Sequence, residues 1–363
     1  MPQDSTTPGL WPGMFFFERG WLSANNILLL GPDDAALVDT GYCSHAEQTV
    51  ELVASTLDMR PLTHVLNTHL HSDHCGGNAA LQARWPDVQT WIAPGQAAQV
   101  QDWDPVALSY TPTGQSCPRF RADGVLQPGS TVTLGGRPWQ VHAAPGHDPH
   151  SIVLFEPERR LLISADALWE HGFGVVFPEI EGVHAFVEVG ATLDIIEQLQ
   201  PAVVLPGHGA LFTDVAAALV EARRKLAGFV ADPLKHARYA AKVLLKYKLL
   251  EWQELPLDQV HAWCRQTPYL GLRNYTTNLK RLGWTDADIA DGLIDMVVMR
   301  ARGPLGWAML WTYSPDDPSL FSATDAAPRL AAADSQMVNL LEEPQLRQDV
   351  LALLLAQQRW RTE

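Results

Sequence analysis

Several absences narrow the possibilities before any motif is read. No run of about 18 apolar residues occurs, so no membrane-spanning helix is expected. The first twenty residues carry no basic stretch ahead of an apolar one, and Phe15-Phe16-Phe17 is too short for the core of an export signal. Cysteine is scarce: Cys43, Cys75, Cys117 and Cys264 are the whole set, without paired spacing. That argues against a disulfide framework and points to a reducing, cytoplasmic compartment. Charged residues are thin at 18%, and 41 acidic against 26 basic side chains leave a net charge of −15. A surface of that sign repels polyanions on average, which counts against nucleic acid as a partner.

What remains is an ordinary globular composition. The chain is 47% hydrophobic and, at 363 residues, long enough for one large domain and a smaller one. Its charge is uneven. Residues 221–281 hold 12 basic and 5 acidic side chains, a local +7, whereas the rest holds 14 basic and 36 acidic, or −22. The asymmetry marks a boundary near residue 221 and leaves room for an anionic ligand beyond it.

Histidine is concentrated in one place. Thr68-His69-Leu70-His71-Ser72-Asp73-His74-Cys75-Gly76-Gly77 puts three imidazoles and a carboxylate within six positions. Residues 64–68 before it read as a strand, and residues 78–85 after the two glycines read as a helix. The cluster therefore sits on a strand-to-helix turn, at the sheet edge where α/β proteins bind ligands. Imidazole with carboxylate suits zinc, iron or manganese. Isolated histidines are usually packed or solvated residues, and His45, His64, His236 and His261 are read that way. Four ligand-type side chains in six positions cannot be satisfied in an apolar core. They are read as a metal site.

The chain in order supports this. Residues 25–30 and 35–38 form a hairpin across Gly31-Pro32-Asp33-Asp34. Asp39-Thr40-Gly41 closes the second strand, as a plain turn or as a carboxylate behind the histidine cluster. Ser44 caps a helix to Leu57, with Glu47 completing a capping box. Residues 89–93 form a strand, and 103–128 a long loop rich in Pro, Gly and polar residues. Strands follow at 131–134, 139–143, 151–155 and 161–164, then a helix at 184–199 and an apolar run at 203–205. Four apolar runs thus each end at a possible ligand: His69 to His74, His147, Asp166 and His208. Buried strands read as such runs, and their ends can converge on one edge.

These stretches resemble the metallo-β-lactamase superfamily. The similarity lies in Thr-His-Leu-His-Ser-Asp-His at 68–74, Pro-Gly-His at 145–147, Ser-Ala-Asp at 164–166, Pro-Gly-His-Gly at 206–209 and Asp39-Thr-Gly. It covers roughly residues 15–220 and implies an α/β fold, an αββα sandwich. It also implies two divalent metal ions, zinc first, with iron or manganese as alternatives. His69, His71 and His147 would hold one, Asp73, His74 and His208 the other, and Asp166 would bridge them. Metals about 3.5–4 Å apart share and acidify a water, and Asp73 would orient it as the catalytic carboxylate. A bridging aspartate is typical of the glyoxalase II-like, lactonase and nuclease branches and usually missing from true β-lactamases. Flavodiiron-type oxidoreductases replace the second histidine by glutamate, where this chain has His71. Persulfide dioxygenases use one iron on a similar scaffold. The family's usual Thr-Pro-Gly-Ser after Pro-Gly-His is Asp148-Pro149-His150-Ser151 here, which places His150 at the substrate pocket or leaves it as a loop residue. Residues 169–174 follow Asp166 closely enough to line the pocket. His171 and His184 are not read as ligands.

Beyond residue 220 the reading is helical. Residues 236–251 fit an amphipathic helix with Tyr239, Val243, Tyr247 and Leu250 on one side and Lys235, Arg238, Lys242 and Lys246 as a solvated stripe. Helices at 256–266 and 274–282 follow, a set that loosely resembles the winged-helix accessory domain of some superfamily hydrolases. The expected organisation is a catalytic domain at 1–220, a helical accessory domain at 221–300 that includes a further helix at 286–300, and 301–363 irregular apart from a terminal helix at 345–360. Trp307 and Trp311 have apolar faces for the main domain or for a second copy in a homodimer. The expected activity is hydrolysis of a small-molecule thioester, ester or lactone, similar to glyoxalase II. The alternative is an endoribonuclease-like phosphodiesterase, and a non-catalytic binding protein ranks third.

Overall fold

The computed structural model describes residues 10–269 and three short strands at 301–302, 308–313 and 320–325. One sheet has six strands in sequence order: β1 (Met14–Phe17), β2 (Asn26–Leu30), β3 (Ala35–Val38), β4 (His64–Leu66), β5 (Gln89–Ile92) and β6 (Gly124–Val125). The first three are antiparallel, and β3 to β6 run parallel. A second, five-stranded sheet holds β7 (Thr131–Leu134), β8 (Arg137–Ala143), β9 (Ile152–Glu156), β10 (Leu161–Ala165) and β11 (Val203–Pro206), of which only β10 and β11 pair in parallel.

Side chains alternate across a strand, and this alternation builds the layers. Ile27, Leu29, Ala36, Val38 and Leu66 face inward and join Trp139, Val141, Leu154, Ile163 and Leu205 of the second sheet in one core. Leu28, Leu37 and Val65 point the other way, onto Val50, Val53 and Leu57 of α1 (Ala46–Leu57) and Leu81 of α3 (Asn78–Arg84), which flank the short α2 (Ser72–Cys75). β3, β9 and β10 are buried along their whole length, as strands covered on both faces should be.

Two local expectations change. The capping box at Ser44 and Glu47 does not form: Cys43–His45 winds as a 3₁₀ turn and α1 begins after it with no side-chain cap. Tyr42 is fully buried and its N–H is bonded to Ser23 Oγ at 3.0 Å, which fixes how the chain enters the helix. The stretch 103–128 is not one open loop. It contains α5 (Tyr110–Thr113), which comes after α4 (Ala97–Asp102), and it contains β6. Leu108, Tyr110 and Phe120 anchor it in a satellite core with Leu70, Cys75 and Ile92.

Past the second sheet come α6 (Phe177–Glu181), α7 (Phe186–Leu199) and α8 (Val215–Ala231), and the chain divides into two compact units after His236. Residue 221 lies inside α8. The second unit begins within α9 (Pro233–Trp252) and continues with β12 (Glu254–Pro256) and α10 (Leu257–Gln266). Strands β13 (Ala301–Arg302), β14 (Ala308–Tyr313) and β15 (Leu320–Asp325) make an antiparallel sheet with β12, in the order β12-β15-β14-β13. This corrects the irregular reading of residues 301–335. Two six-residue strands, Ala-Met-Leu-Trp-Thr-Tyr and Leu-Phe-Ser-Ala-Thr-Asp, lie there in a stretch of sequence otherwise rich in Pro and Asp. The solvated stripe on α9 is also corrected, since Arg238, Lys242 and Lys246 are half-buried and burial lowers the Lys246 ammonium to about 8. Expected helices at 274–282, 286–300 and 345–360, and Trp307, lie outside the described residues. Among the described residues no helix is long and apolar enough to cross a membrane.

Candidate metal centre

Strand ends supply the site. β3 delivers Asp39, β4 leads through Asn67 and Thr68 to His69, and the turn into α2 presents His71, Asp73 and His74. His147 follows β8, Asp166 follows β10 and His208 follows β11. Asp39 (φ 57°) and Ala165 (φ 47°) take left-handed backbone conformations that such residues seldom adopt. The strain at Asp39 is held by its side chain, which accepts from Thr68 N at 2.9 Å and Thr68 Oγ1 at 2.8 Å. Gly207 is required by space: a Cβ there would lie 2.3 Å from Asp166 Oδ1.

All seven ligand-type residues expected from the sequence come together. Their donor atoms form three overlapping groups, each within 4.8 Å: His69-His71-His147, His69-His74-Asp166 and Asp73-His74-His208. In the first group His71 Nδ1 lies 2.8 Å from His147 Nε2, which lies 3.2 Å from His69 Nε2. Tetrahedral ligands at usual zinc–nitrogen lengths would stand about 3.3 Å apart. In the last group His208 Nε2 is 3.2 Å from Asp73 Oδ2. Asp166 stands between them, Oδ2 3.4 Å from His147 Nε2 and Oδ1 3.4 Å from His74 Nε2.

The donor set passes a direct test of fit. His74 Nε2 is buried and makes no hydrogen bond with protein, while the carboxylates of Asp166 and Asp73 lie 3.4 and 4.0 Å from it. A buried polar atom in that position needs a partner, and a divalent cation between the carboxylates provides one. His208 Nδ1 is also buried without a partner. Outer contacts set the rings. His74 Nδ1 donates to Asp39 Oδ2 at 2.7 Å and His147 Nδ1 to Val175 O at 2.5 Å, which directs each Nε2 inward. Asp39 is thus the carboxylate behind the cluster.

Charge prepares the same atoms. Burial, followed by the neighbouring imidazoles, lowers the proton affinity of His69 and takes His71 to about 3. Burial also lowers His147. For His74, burial is outweighed by Asp39, Asp166 and Asp73, which raise it. For Asp166, burial is outweighed by His208, His74 and His147, which hold it well below the usual carboxylate range. Neutral imidazoles, favoured at His69, His71 and His147, and ionised carboxylates are the forms that bind metals, whereas the proton favoured at His74 is one that a bound cation would displace.

Other side chains gather at the rim. Trp21 stacks on His208 with ring centroids 5.9 Å apart, and Trp169 meets the same ring edge-on at 5.4 Å. Trp169 Nε1 donates to Asp166 Oδ1 at 3.2 Å, so part of the 169–174 stretch does reach the site. Phe177 packs on His71 at 4.6 Å. Buried Asp148 has Oδ2 3.8 Å from His71 Nε2. His150 stays outside the ligand groups, and a Cβ on Gly95 would lie 2.3 Å from its Nδ1. His171 and His184 are exposed and stand apart, as expected. His236 is buried and accepts from Val176 N at 3.1 Å, a satisfied core histidine. Sequence reading missed Trp21 and Asp148, whose places at the rim come from contacts made across the fold.

The profile of the metallo-beta-lactamase superfamily matches residues 19–208, and the chain belongs to that superfamily. A hydroxyacylglutathione hydrolase from Anaeromyxobacter dehalogenans (strain 2CP-C) is 34% identical over 157 residues, 43% of this chain and 51% of that protein. The acyl-coenzyme A thioesterase MBLAC2 of Homo sapiens is 28% identical over 231 residues, 54% of this chain and 77% of it. A nitric oxide reductase from Moorella thermoacetica is 24% identical over 229 residues, 57% of this chain and 54% of it. The chain thus spans about half the length of the first and third of these relatives. A solved metallo-beta-lactamase family protein from Thermus thermophilus aligns with TM-score 0.49 and 19% identity, over 81% of this chain and 97% of that one.

Proposed function

We propose that the protein is a dinuclear metal-dependent hydrolase of a small-molecule thioester, ester or lactone. The observation that carries this is Asp166, whose two oxygens face the two halves of the seven-residue cluster. His69, His71 and His147 would hold one divalent ion and Asp73, His74 and His208 the other, with zinc first and iron or manganese as alternatives. Bound there, the ions would supply Lewis acidity and an acidified water at neutral pH. The chain's own residues do the rest. Asp73, kept ionised by His74 and His208 against the cost of burial, accepts a hydrogen bond from the attacking water and aligns it. Trp21 and Trp169 cover His208 and keep bulk water from that side. Asp39 keeps the His74 ring in one tautomer.

The thioester reading is supported by the names of the relatives: hydroxyacylglutathione hydrolase, acyl-coenzyme A thioesterase, and the atrochrysone carboxyl ACP thioesterase of Aspergillus fumigatus. One observation favours a phosphodiesterase as second reading. Helix α9, strand β12, helix α10 and strands β13, β14 and β15, with β12 beside β15, would suit an accessory domain resembling the winged helix of some superfamily hydrolases. Such a substrate would bind with a steep dependence on salt.

The test is turnover by the full chain loaded with zinc, iron or manganese. S-D-lactoylglutathione, an acyl-coenzyme A and a lactone are the substrates, and His69→Ala is the control. Metal-dependent hydrolysis of at least one substrate, lost in the variant, is expected. No turnover of any of them with two metals bound would overturn the proposal.

A further inference from the structure

We propose that Lys225 is a positioning residue for the metal centre: from α8 it holds the loop that orients Asp166 and His147. The proposal rests on the metal-centre reading above, and its test separates the two.

The loop 168–177 touches two candidate ligands at four points. Trp169 Nε1 donates to Asp166 Oδ1 at 3.2 Å, and Gly174 N donates to the Asp166 carbonyl at 2.9 Å. Val175 O accepts from His147 Nδ1 at 2.5 Å, and Phe177 N donates to the His147 carbonyl at 3.2 Å. The loop has little regular structure of its own, with one bridge between Trp169 and Gly172. Its geometry has to be imposed from behind.

Lys225 does this. Its Nζ donates to Phe173 O at 2.7 Å, midway along the loop. The same ammonium lies 4.9 Å from the Phe173 ring centroid, 5.7 Å from Phe229 and 5.8 Å from Trp169, a cage of aromatic faces that favours a cation. Burial lowers it to about 8, against Glu221 and Asp166, so it remains cationic at neutral pH.

Two glycines make room for the arrangement. Gly172 (φ 115°) lies where a Cβ would come within 2.8 Å of Lys225 Cδ, so the lysine stem passes directly over its backbone. At Gly174 a Cβ would come within 2.4 Å of His147 Nδ1. The loop can therefore lie flat between the lysine on one side and the ligand imidazole on the other. Lys225 is bonded to a backbone carbonyl, so its effect passes through the loop. Groups bonded directly to the ligands change metal affinity by about 10–100-fold when removed, and Lys225 acts one contact further out.

The experiment compares the full chain with Lys225→Met and Lys225→Arg by chelator-competition metal affinity and by the visible spectrum of the cobalt(II)-loaded protein. Circular dichroism checks the fold. Lys225→Met is expected to weaken metal binding by up to about 10-fold and to shift the cobalt spectrum, with the fold retained and Lys225→Arg partly restoring both. If Lys225→Met does not fold, Lys225→Gln gives the same comparison. Wild-type affinity and an unchanged spectrum in the folded variant would overturn the proposal. Failure of the wild-type chain to bind metal would instead sink the metal-centre reading.

Discussion

His236 shows how a residue that sequence reading set aside acquires a measurable role. Burial, helped by the charge on Lys225, takes its imidazole down to about 4, from an ordinary value of 6.5. The unfolded chain then binds a proton at this residue before the folded chain does. Its contribution to stability is therefore present above about pH 6.5 and falls as pH drops toward 4. Urea denaturation at pH 7 and pH 4.5 checks this. His236→Gln should lose less stability between the two pH values than the wild type, and an identical loss would remove His236 from the account. At this scale the candidate ligands were legible as a cluster because residue type and place suffice: imidazole or carboxylate at the end of an apolar run. Lys225 was not, since in the sequence it belongs to a basic stretch. Only packing shows that its Nζ reaches Phe173 O. Trp21 and Asp148 were hidden for the same reason, since stacking on His208 and standing beside His71 are properties of the fold.

The strands of the two main sheets were readable where alternation or continuous apolar runs gave a period. Elements set by distant contacts were not. The 3₁₀ turn at Cys43–His45 depends on buried Tyr42, and α5 depends on the satellite core around Ile92. Strands β14 and β15 were passed over because turn-forming residues surround each short run. What the sheets do for the site is hold the strand ends in register. Trp139, fully buried on β8, lies at the centre of the inter-sheet core. Trp139→Ala is expected to cost about 3–5 kcal/mol, the range for removing a large aromatic from a packed interior. Denaturant unfolding measures it. A loss below about 1 kcal/mol would show that the two sheets are not held by this core.

The whole chain is acidic, with a net charge of −15, yet its basic side chains gather in residues 221–281. Superfamily membership accounts for the fold and for the recurring candidate ligands at strand ends, while their metals and the substrate belong to the proposal. The central claim is that seven residues from separate strand ends make two adjacent metal positions. Counting metal bound per chain at saturation, after removal of excess ion, tests it most directly. Two equivalents are expected for the wild type, one for His71→Ala, and fewer than one when His71→Ala is combined with His208→Ala. A wild type that binds no more than one equivalent, or a double variant that still binds two, would contradict the account.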